Sequence, residues 1–224
     1  MSRFGDEPAI VLGAGGHGAV VADIVRSSGR TVVGFLDDNP ALLGTEVIGI
    51  PVIGATMDAP RLAREHGAGL LVGIGDNLIR GRLLRRLTAL GVPITRAVHP
   101  SAVISDNVVL EPGVVIMPAA VVNTRSAIRF GAVVNTNASV DHDCEVGEMA
   151  NCMPGSVLTG GITVGRYANM GSRCVVIPLK TIGENAYVGA GAVVIDDVPP
   201  NTLVVGVPAK VIKYGEPLPE DLRS

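Results

Sequence analysis

The sequence of 224 residues contains no tryptophan, and aromatic residues make up only 3% of it. Proteins that bind single-stranded nucleic acids stack the bases on aromatic side chains, so this kind of site is not expected. Charge of either sign is also sparse, since the net charge is −3 and charged residues are scattered along the chain. The composition therefore favours neither a nucleic acid nor an anionic membrane surface as a partner.

Long hydrophobic runs are absent as well. Hydrophobic residues make up 47% of the chain, but no run approaches the roughly 20 apolar residues of a membrane-spanning helix. The N-terminal stretch MSRFGDEPAIVLGAGG lacks a basic leader followed by a long apolar core. We therefore predict no signal peptide, no membrane association and a cytoplasmic location.

A strict six-residue repeat runs from Val98 to Val194. Every sixth residue is apolar, without insertion or omission: Val98, Ile104, Leu110, Ile116, Val122, Ile128, Val134, Val140, Val146, Cys152, Leu158, Val164, Met170, Val176, Ile182, Val188 and Val194. A helix requires apolar residues three and four apart, and a half-buried strand requires alternation. A hexad repeat instead predicts a parallel β-helix, in which three hexads, or eighteen residues, close one triangular coil.

A second rule applies four residues after each of these axial positions. Nearly all the residues there are small or β-branched, with Lys180 as the clear exception: Ala102, Val108, Val114, Ala120, Ser126, Ala132, Ala138, Cys144, Ala150, Ser156, Ile162, Ala168, Cys174, Lys180, Ala186, Ala192 and Val198. We expect them to lie where two walls of the coil converge.

The three cysteines, Cys144, Cys152 and Cys174, all occupy inward positions of the repeat. An odd number of buried thiols favours reduced packing residues in a cytoplasmic protein. A catalytic thiol is the alternative, but a nucleophile has to face outward.

The N-terminal region has the pattern of a βαβ unit. The strand PAIVL is followed by GAGGHG from Gly13 to Gly18, an amphipathic helix ending at Gly29 and the strand RTVVGFLDD. A G-x-G-x-x-G turn with an acid about twenty residues later is the fingerprint of a dinucleotide site. However, the α/β pattern stops near residue 97, which leaves room for only about half of that two-halved fold. A nucleotide-sugar fits the smaller site, and Gly13 and Gly18 fit a purely structural role in the turn equally well.

The segments on either side of the repeat carry weaker signals. In the predicted helix NLIRGRLLRRLTALG, the simplest interpretation is a solvated basic face, formed by Arg80, Arg82, Arg85 and Arg86. His66 and His99 are predicted to be structural. After the repeat, DDVPPNTLVVGVPAKVIK leaves the hexad phase, and the polar tail EPLPEDLRS is predicted to fray.

The motifs GAGGHG, FLDD, SVDHDC and VVGVPAK, together with the repeat, resemble the hexapeptide-repeat acyltransferases. They are most similar to the sugar acetyltransferases typified by the bacillosamine-pathway and perosamine N-acetyltransferases and the sialic acid O-acetyltransferases. The resemblance implies a left-handed coil, whereas the general preference for right-handed crossovers would predict the opposite hand. The predicted fold is an α/β Rossmann-like half domain over residues 1–97, a left-handed parallel β-helix over 98–198, and a C-terminal return segment and tail over 199–224.

The same resemblance implies the binding residues. For a nucleotide-sugar substrate they are Gly15, Gly16, His17, Asp37, Asp38, Gly75 and Asn135, with the two aspartates at the nucleoside end and Asn135 at the sugar. For acetyl-CoA they are Asn151, Gly160, Ser172 and Ala190, with Lys210 and Lys213 as phosphate contacts or, alternatively, as solvated surface lysines. Related sequences often carry histidine at position 151, so Asn151 departs from the pattern. No metal is expected, and a homotrimer with sites between subunits is implied because a single prism offers a poor pocket.

His142 is the only histidine deep within the repeat, and it follows the axial Val140 by two residues. We therefore expect it to face outward at a corner, where an imidazole can accept a proton near neutral pH. Asp143 would fix the imidazole tautomer if the chain turns at this corner. One coil later, Gly160 would present a bare amide to a developing oxyanion. The resemblance assigns His142 and Asp143 to catalysis and Gly160 to the acyl carbonyl, whereas a lone surface histidine is the alternative.

The predicted reaction is direct acetyl transfer from acetyl-CoA to the amino group of a nucleotide-linked amino sugar, with His142 as general base. A hydroxyl acceptor, as in sialic acid O-acetylation, is the first alternative. A non-enzymatic nucleotide-sugar or NAD-binding protein is the second. A zinc enzyme is disfavoured, because it needs three histidines from neighbouring coils and only His99 and His142 lie in the repeat.

Overall fold

The computed structural model describes residues 5–223. Internal contacts divide the chain into two compact units, the first ending at Pro100 and the second beginning at Ser101. The first four residues of the stretch in which no leader was predicted lie outside the described residues. Within the described part, no helix is long and apolar enough to cross a membrane.

The first unit is a five-stranded sheet with three helices. Its elements are β1 (Ala9–Leu12), α1 (Gly16–Ser27), β2 (Val32–Leu36), β3 (Glu46–Val47), β4 (Ile50–Gly54), α2 (Ala59–His66), β5 (Gly69–Val72) and α3 (Asn77–Ala89), with short 3₁₀ turns at Pro40–Leu42 and Thr56–Asp58. The strand order is β3-β4-β2-β1-β5, and only the β3–β4 pair is antiparallel. Every residue of β1 is buried, as expected for an apolar strand inside a parallel sheet. The predicted βαβ unit is thus β1–α1–β2.

The predicted basic face of α3 is wrong at Arg80. This side chain is fully buried, because it shares the inward stripe of α3 with Asn77, Gly81, Leu84 and Leu87. Its Nη1 donates to the carbonyl oxygens of Ile74 at 3.0 Å and Gly75 at 3.1 Å, which satisfies part of the buried guanidinium. Arg82 and Arg86 are exposed, as predicted, and Arg85 is half-buried.

Two-residue strands then recur every six residues. They are β6 (Ala97–Val98), β7 (Val103–Ile104), β8 (Val109–Leu110), β9 (Val115–Ile116), β10 (Val121–Val122), β11 (Ala127–Ile128), β12 (Val133–Val134), β13 (Ser139–Val140), β14 (Glu145–Val146), β15 (Asn151–Cys152), β16 (Val157–Leu158), β17 (Thr163–Val164), β18 (Asn169–Met170), β19 (Val175–Val176), β20 (Thr181–Ile182), β21 (Tyr187–Val188) and β22 (Val193–Val194). Each strand ends on one of the axial positions predicted from the sequence.

In the second unit these strands form three parallel walls. Wall 1 is β7-β10-β13-β16-β19-β22, wall 2 is β8-β11-β14-β17-β20, and wall 3 runs from β9 through β12, β15, β18 and β21. Val122 pairs with Val140, and Val140 with Leu158, so each coil contains eighteen residues, as predicted. The axial residues from Ile116 to Val194 are buried, whereas Ile104 and Leu110 in the first coil are half-buried.

The corners share a backbone feature that the apolar pattern alone did not predict. From Gly113 to Gly191, the third residue after each axial residue has a positive φ, from 55° to 76°. Only five of these fourteen residues are glycine, and the others include Arg125, Asn137 and Asp143. This left-handed conformation costs an ordinary residue about 1 kcal/mol or more. Here it turns the chain from one wall to the next.

The cysteines are buried and free, as predicted. Burial raises the pKa of Cys174 to about 12 and raises the pKa values of Cys144 and Cys152. The thiols are therefore neutral at physiological pH and serve as packing groups.

The C-terminal segment differs from the prediction of a frayed tail. β23 (Thr202–Val205) extends wall 3 beside β21, and β24 (Lys210–Tyr214) returns antiparallel to it. A 3₁₀ turn at Glu220–Leu222 follows. Leu218 and Leu222 are fully buried, and Arg166 Nη2 donates to the Arg223 carbonyl at 2.9 Å. The burial of Leu218 and Leu222, together with the hydrogen bond to Arg223, therefore orders this mostly polar tail.

Candidate active site

His142 stands at the corner between β13 and β14, where walls 1 and 2 meet. Its side chain is 52% exposed, which confirms that it faces outward. Behind it, the Cys144 thiol approaches the His142 carbonyl at 3.5 Å and the Thr159 carbonyl at 3.1 Å. Buried packing therefore supports the backbone from which the exposed imidazole projects.

Asp143 contacts the imidazole of its own neighbour. Its φ is 59°, and this turn brings Oδ2 within 2.7 Å of His142 Nδ1. Consecutive residues of a straight strand point to opposite faces, so the contact depends on the left-handed corner. With a carboxylate on Nδ1, the remaining nitrogen, Nε2, is the one free to accept a proton.

Arg125, which the sequence analysis missed, completes this cluster from one coil below. Its Nε donates to Asp143 Oδ1 at 2.6 Å and its Nη2 donates to Oδ2 at 2.7 Å, in a two-pronged pair across a separation of 18 residues. The Arg125 hydrogen bonds, followed by the bond from His142, hold the pKa of Asp143 well below its usual range. The eighteen-residue period was the signal that could have identified Arg125.

Gly160 lies directly against the imidazole, as the coil length predicts. A Cβ at this position would come within 2.6 Å of His142 Cε1 and 2.7 Å of Nε2, so any side chain here would push the imidazole out of its place. Its carbonyl accepts from Leu179 N at 3.0 Å. Within residues 5–223 its amide N–H donates to no backbone carbonyl. The corner thus combines an imidazole, a carboxylate bound to its Nδ1 and a backbone N–H that no backbone carbonyl of the described residues accepts.

A shallow cavity of about 320 Å³ borders His142 and is lined by Ser105, Asn123, Thr124, Arg125, Asp141 and His142. Asp141 Oδ1 accepts from Asn123 Nδ2 and from the His142 amide, both at 2.8 Å. These bonds, that from Asn123 first, lower the pKa of Asp141. Two carboxylates with lowered pKa values, Asp141 and Asp143, therefore lie beside His142, and the Arg125 guanidinium offsets only one of their two negative charges.

In the first unit, the glycines of the GAGGHG turn fall into two groups. Gly13 has a φ of +95°, and a Cβ on Gly18 would lie 1.9 Å from the Gly13 carbonyl oxygen, so both are required by the fold. By contrast, nothing lies within 4 Å of a Cβ on Gly15, Gly16 or Gly75, and φ is not positive there. Packing within the described residues therefore does not require these three glycines, and their predicted contacts with a ligand stay predictions.

Three other predicted nucleotide-sugar residues, His17, Asp37 and Asp38, lie in the same unit as this turn. Asp37 Oδ2 accepts from Ala14 N at 2.8 Å, and Asp38 Oδ1 accepts from Thr56 N at 2.8 Å. Among the described residues, the buried His17 Nε2 has no hydrogen-bond partner. Burial, and then the nearby Arg80, lower the pKa of His17. A neutral imidazole with an unused nitrogen beside the N-terminus of α1 fits a ligand site, although the contacts of His17, Asp37 and Asp38 with a ligand stay predictions.

The remaining predicted residues do not lie on the His142 corner. Asn135, Ser172 and Ala190 occupy the corner where wall 3 leads into wall 1. Asn151 lies within wall 3, and its Nδ2 donates to Asn169 Oδ1 at 2.9 Å. On β24, Lys210 Nζ lies 3.7 Å from Asp196 Oδ2, and Lys213 borders a separate cavity with Tyr187 and Leu203. Within one chain, Gly160 alone of the predicted coenzyme residues shares the corner with the base.

A metal centre finds no support in this arrangement. Within the described residues, no group of three or more histidine, cysteine, aspartate or glutamate side chains is placed to hold a metal ion.

A three-walled hexad coil with a carboxylate-oriented histidine and a bare amide at one corner defines the class of acyltransferases built on this coil.

Comparison with known proteins identifies the group within this class. Residues 9–87 match the family model described as the PglD N-terminal domain. The GDP-perosamine N-acetyltransferase of Escherichia coli O157:H7 is 29% identical over 96% of both chains. The chain belongs to the hexapeptide-repeat sugar acetyltransferases of the perosamine and PglB type.

Two solved structures carry this assignment. One is a histidine-to-asparagine variant of perosamine N-acetyltransferase from Caulobacter crescentus in complex with CoA and GDP-perosamine, with 39% identity, a TM-score of 0.86, and coverage of 95% of this chain and 100% of that one. The other is the acetyltransferase domain of PglB from Neisseria gonorrhoeae FA1090 with acetyl coenzyme A, with 36% identity, a TM-score of 0.88, and coverage of 93% and 100%. The predicted fold class, including its left-handed coil, is confirmed.

The two groups of glycines make a testable distinction. We expect Gly16→Val to raise the KM for the nucleotide-sugar about tenfold or more without lowering the melting temperature, because the new side chain enters open space that a ligand would use. Gly18→Ala should instead lower the melting temperature, because its Cβ meets the Gly13 carbonyl oxygen. Steady-state kinetics and calorimetry on both variants are the measurements. An unchanged KM in a folded Gly16→Val protein would contradict the assignment of this turn.

Proposed function

We propose that the protein transfers the acetyl group of acetyl-CoA to the amino group of a nucleotide-linked amino-deoxy sugar. The observation that carries the proposal is the His142 corner, where Asp143 contacts one side of the imidazole and Gly160 lies against its Nε2 side. The family supports the choice of substrates, since relatives of similar length are named for the N-acetylation of perosamine and bind CoA and GDP-perosamine.

In the proposed reaction, the sugar nitrogen attacks the thioester carbonyl carbon, forming a C–N bond. His142 Nε2 accepts the proton that the nitrogen loses, and Asp143 stabilises the resulting imidazolium. The Gly160 N–H donates to the oxyanion of the tetrahedral intermediate. The C–S bond then breaks, and the proton held by His142 passes to the departing CoA thiolate. No covalent enzyme intermediate is required.

An amine acceptor suits the charge around the base better than a hydroxyl. A sugar amine arrives as a cation and loses one proton to solvent before its neutral form attacks. Asp141 and Asp143 outnumber the Arg125 guanidinium at this corner, so the remaining negative charge attracts that cation. A hydroxyl acceptor, such as that of sialic acid, is neutral and gains no such attraction. We assign the nucleotide to the N-terminal α/β domain, predicted over residues 1–97, through Gly15, Gly16, His17, Asp37, Asp38 and Gly75.

We further propose that the active enzyme is a homotrimer with each site between two chains. His142 and Gly160 lie on one edge of the coil, whereas Asn135, Ser172 and Ala190 lie on another. One chain cannot bring two edges of its own prism together. A cyclic trimer places different edges of neighbouring chains side by side.

We also infer a cytoplasmic location, because three buried, unpaired thiols suit a reducing compartment.

The acceptor can be identified directly. The purified protein should acetylate at least one UDP-, GDP- or dTDP-linked amino sugar with acetyl-CoA and should leave free sialic acid unmodified. We expect His142→Asn to lower kcat by about a hundredfold or more, because the general base is lost. His66→Asn, which alters an exposed histidine in the last turn of α2, is the matched control and should keep full activity. Wild-type turnover in His142→Asn would remove the base from the mechanism, and acetylation of sialic acid alone would favour O-acetyl transfer.

The two-chain site predicts complementation between inactive chains. His142→Asn damages the catalytic edge, and Ser172→Trp should block the proposed coenzyme edge of the other wall junction. Hybrid trimers purified through two different affinity tags contain one interface at which both edges are intact, so about a third of wild-type activity should return. Inactive hybrids assembled from two folded variants would place the whole site within one chain.

A further inference from the structure

Three polar residues are stacked one above the other at the His142 corner. Asn107, Arg125 and Asp143 occupy equivalent positions in three successive coils. Asn107 Oδ1 accepts from Thr124 Oγ1 at 2.9 Å and from the Arg125 amide at 3.3 Å. The Arg125 guanidinium in turn donates hydrogen bonds to both carboxylate oxygens of Asp143. Asn107 thus contacts the backbone of Arg125, and the Arg125 side chain contacts the carboxylate that lies on the imidazole of His142.

Asp143 needs such a support because its own packing does not fix it. Its side chain is 42% exposed, and it projects from a left-handed corner beside open solvent. An aspartate in that situation can rotate about its side-chain bonds and exchange the imidazole for water. Two parallel donors from a planar guanidinium permit only one orientation of the carboxylate. In that orientation Oδ2 is shared between Arg125 Nη2 and His142 Nδ1.

We propose that Arg125 is a positioning residue of the acetyl transfer reaction, which locks Asp143 so that the proton of His142 stays on Nδ1 and Nε2 remains the basic nitrogen beside Gly160. The inference rests on the proposed role of His142 as general base. Arg125 does not need to touch either substrate, and its contribution is to the orientation of the base rather than to affinity.

A different role for an exposed arginine would be to bind a phosphate of one of the substrates. The two roles make opposite kinetic predictions. Loss of a positioning group lowers kcat while both KM values stay near wild type, whereas loss of a phosphate contact raises one KM. Arg125 also differs from Arg129, which pairs with Glu111 and Glu145 at 3.0 and 2.9 Å and contacts no residue of the catalytic cluster. Arg129→Gln is therefore a matched control for the loss of surface ion pairs.

The test combines a double-mutant cycle with a spectroscopic reading of His142. Arg125→Gln should lower kcat about tenfold or more with little change in either KM, and Arg125→Lys should restore part of it. In the Asp143→Asn background, Arg125→Gln should have no further effect, because the carboxylate that it orients is gone. Arg129→Gln should leave kcat unchanged.

Nitrogen-15 spectra of histidine-labelled protein give a reading that does not need activity. We expect the neutral His142 of the wild type to carry its proton on Nδ1, and Arg125→Gln to populate both tautomers. An unchanged tautomer in Arg125→Gln, a rise in KM alone, or equal losses of kcat with and without the Asp143 carboxylate would each overturn the proposal. If no amino sugar is acetylated, the proposed function fails, and the tautomer measurement still decides the role of Arg125.

Discussion

The eighteen-residue register of the parallel coil is the constraint on which the candidate site depends. Because each strand pairs with the strand one turn later, residues eighteen apart are stacked at the same corner. A single insertion between Arg125 and Gly160 would move Arg125, Asp143 or Gly160 out of line with its neighbours. The second requirement is the positive φ of the third residue after each axial residue. At Asp143 this conformation turns the carboxylate back onto the His142 imidazole. The chemistry of the corner is thus a direct result of how the backbone is wound.

The same winding is the physical reason for proposing that a neighbouring chain and the α/β domain each supply part of the site. Flat walls and narrow corners expose groups efficiently but enclose little space, and the cavity beside His142 is shallow. Of the residues assigned to the coenzyme, Ser172 and Ala190 lie on a different edge from His142 and Gly160, and in the proposed trimer a second chain supplies that edge. The nucleotide is assigned to the α/β unit, where Gly15 and Gly16 leave open space and the nearby His17 has a buried nitrogen without a hydrogen-bond partner among the described residues. In this proposal the walls of the coil carry the catalytic groups, and other surfaces recognise the substrates.

Much of the fold and of the candidate site was predictable from the sequence, because a hexad repeat leaves few structural alternatives. The axial residues, the inward cysteines, the outward His142 and the contact with Gly160 all follow from counting in sixes and eighteens. The predictions that were wrong concerned packing that the six-residue period of the sequence does not encode. Arg80 lies on the inward stripe of α3, and backbone carbonyls at Ile74 and Gly75 satisfy part of its guanidinium. The tail is ordered by the buried Leu218 and Leu222 and by a hydrogen bond from Arg166. Arg125 was missed because a surface arginine carries no local signal, although one turn of the coil connects it to Asp143.

A crystal structure of the protein with CoA and a nucleotide-linked amino sugar tests the central claim most directly. The account predicts the acceptor nitrogen within about 2.6–3.2 Å of His142 Nε2, the sulfur of CoA beside the Gly160 amide, and Arg125 still bound to both oxygens of Asp143. Substrates that meet at another corner, or an acceptor nitrogen far from His142 with the coenzyme sulfur away from Gly160, would contradict it.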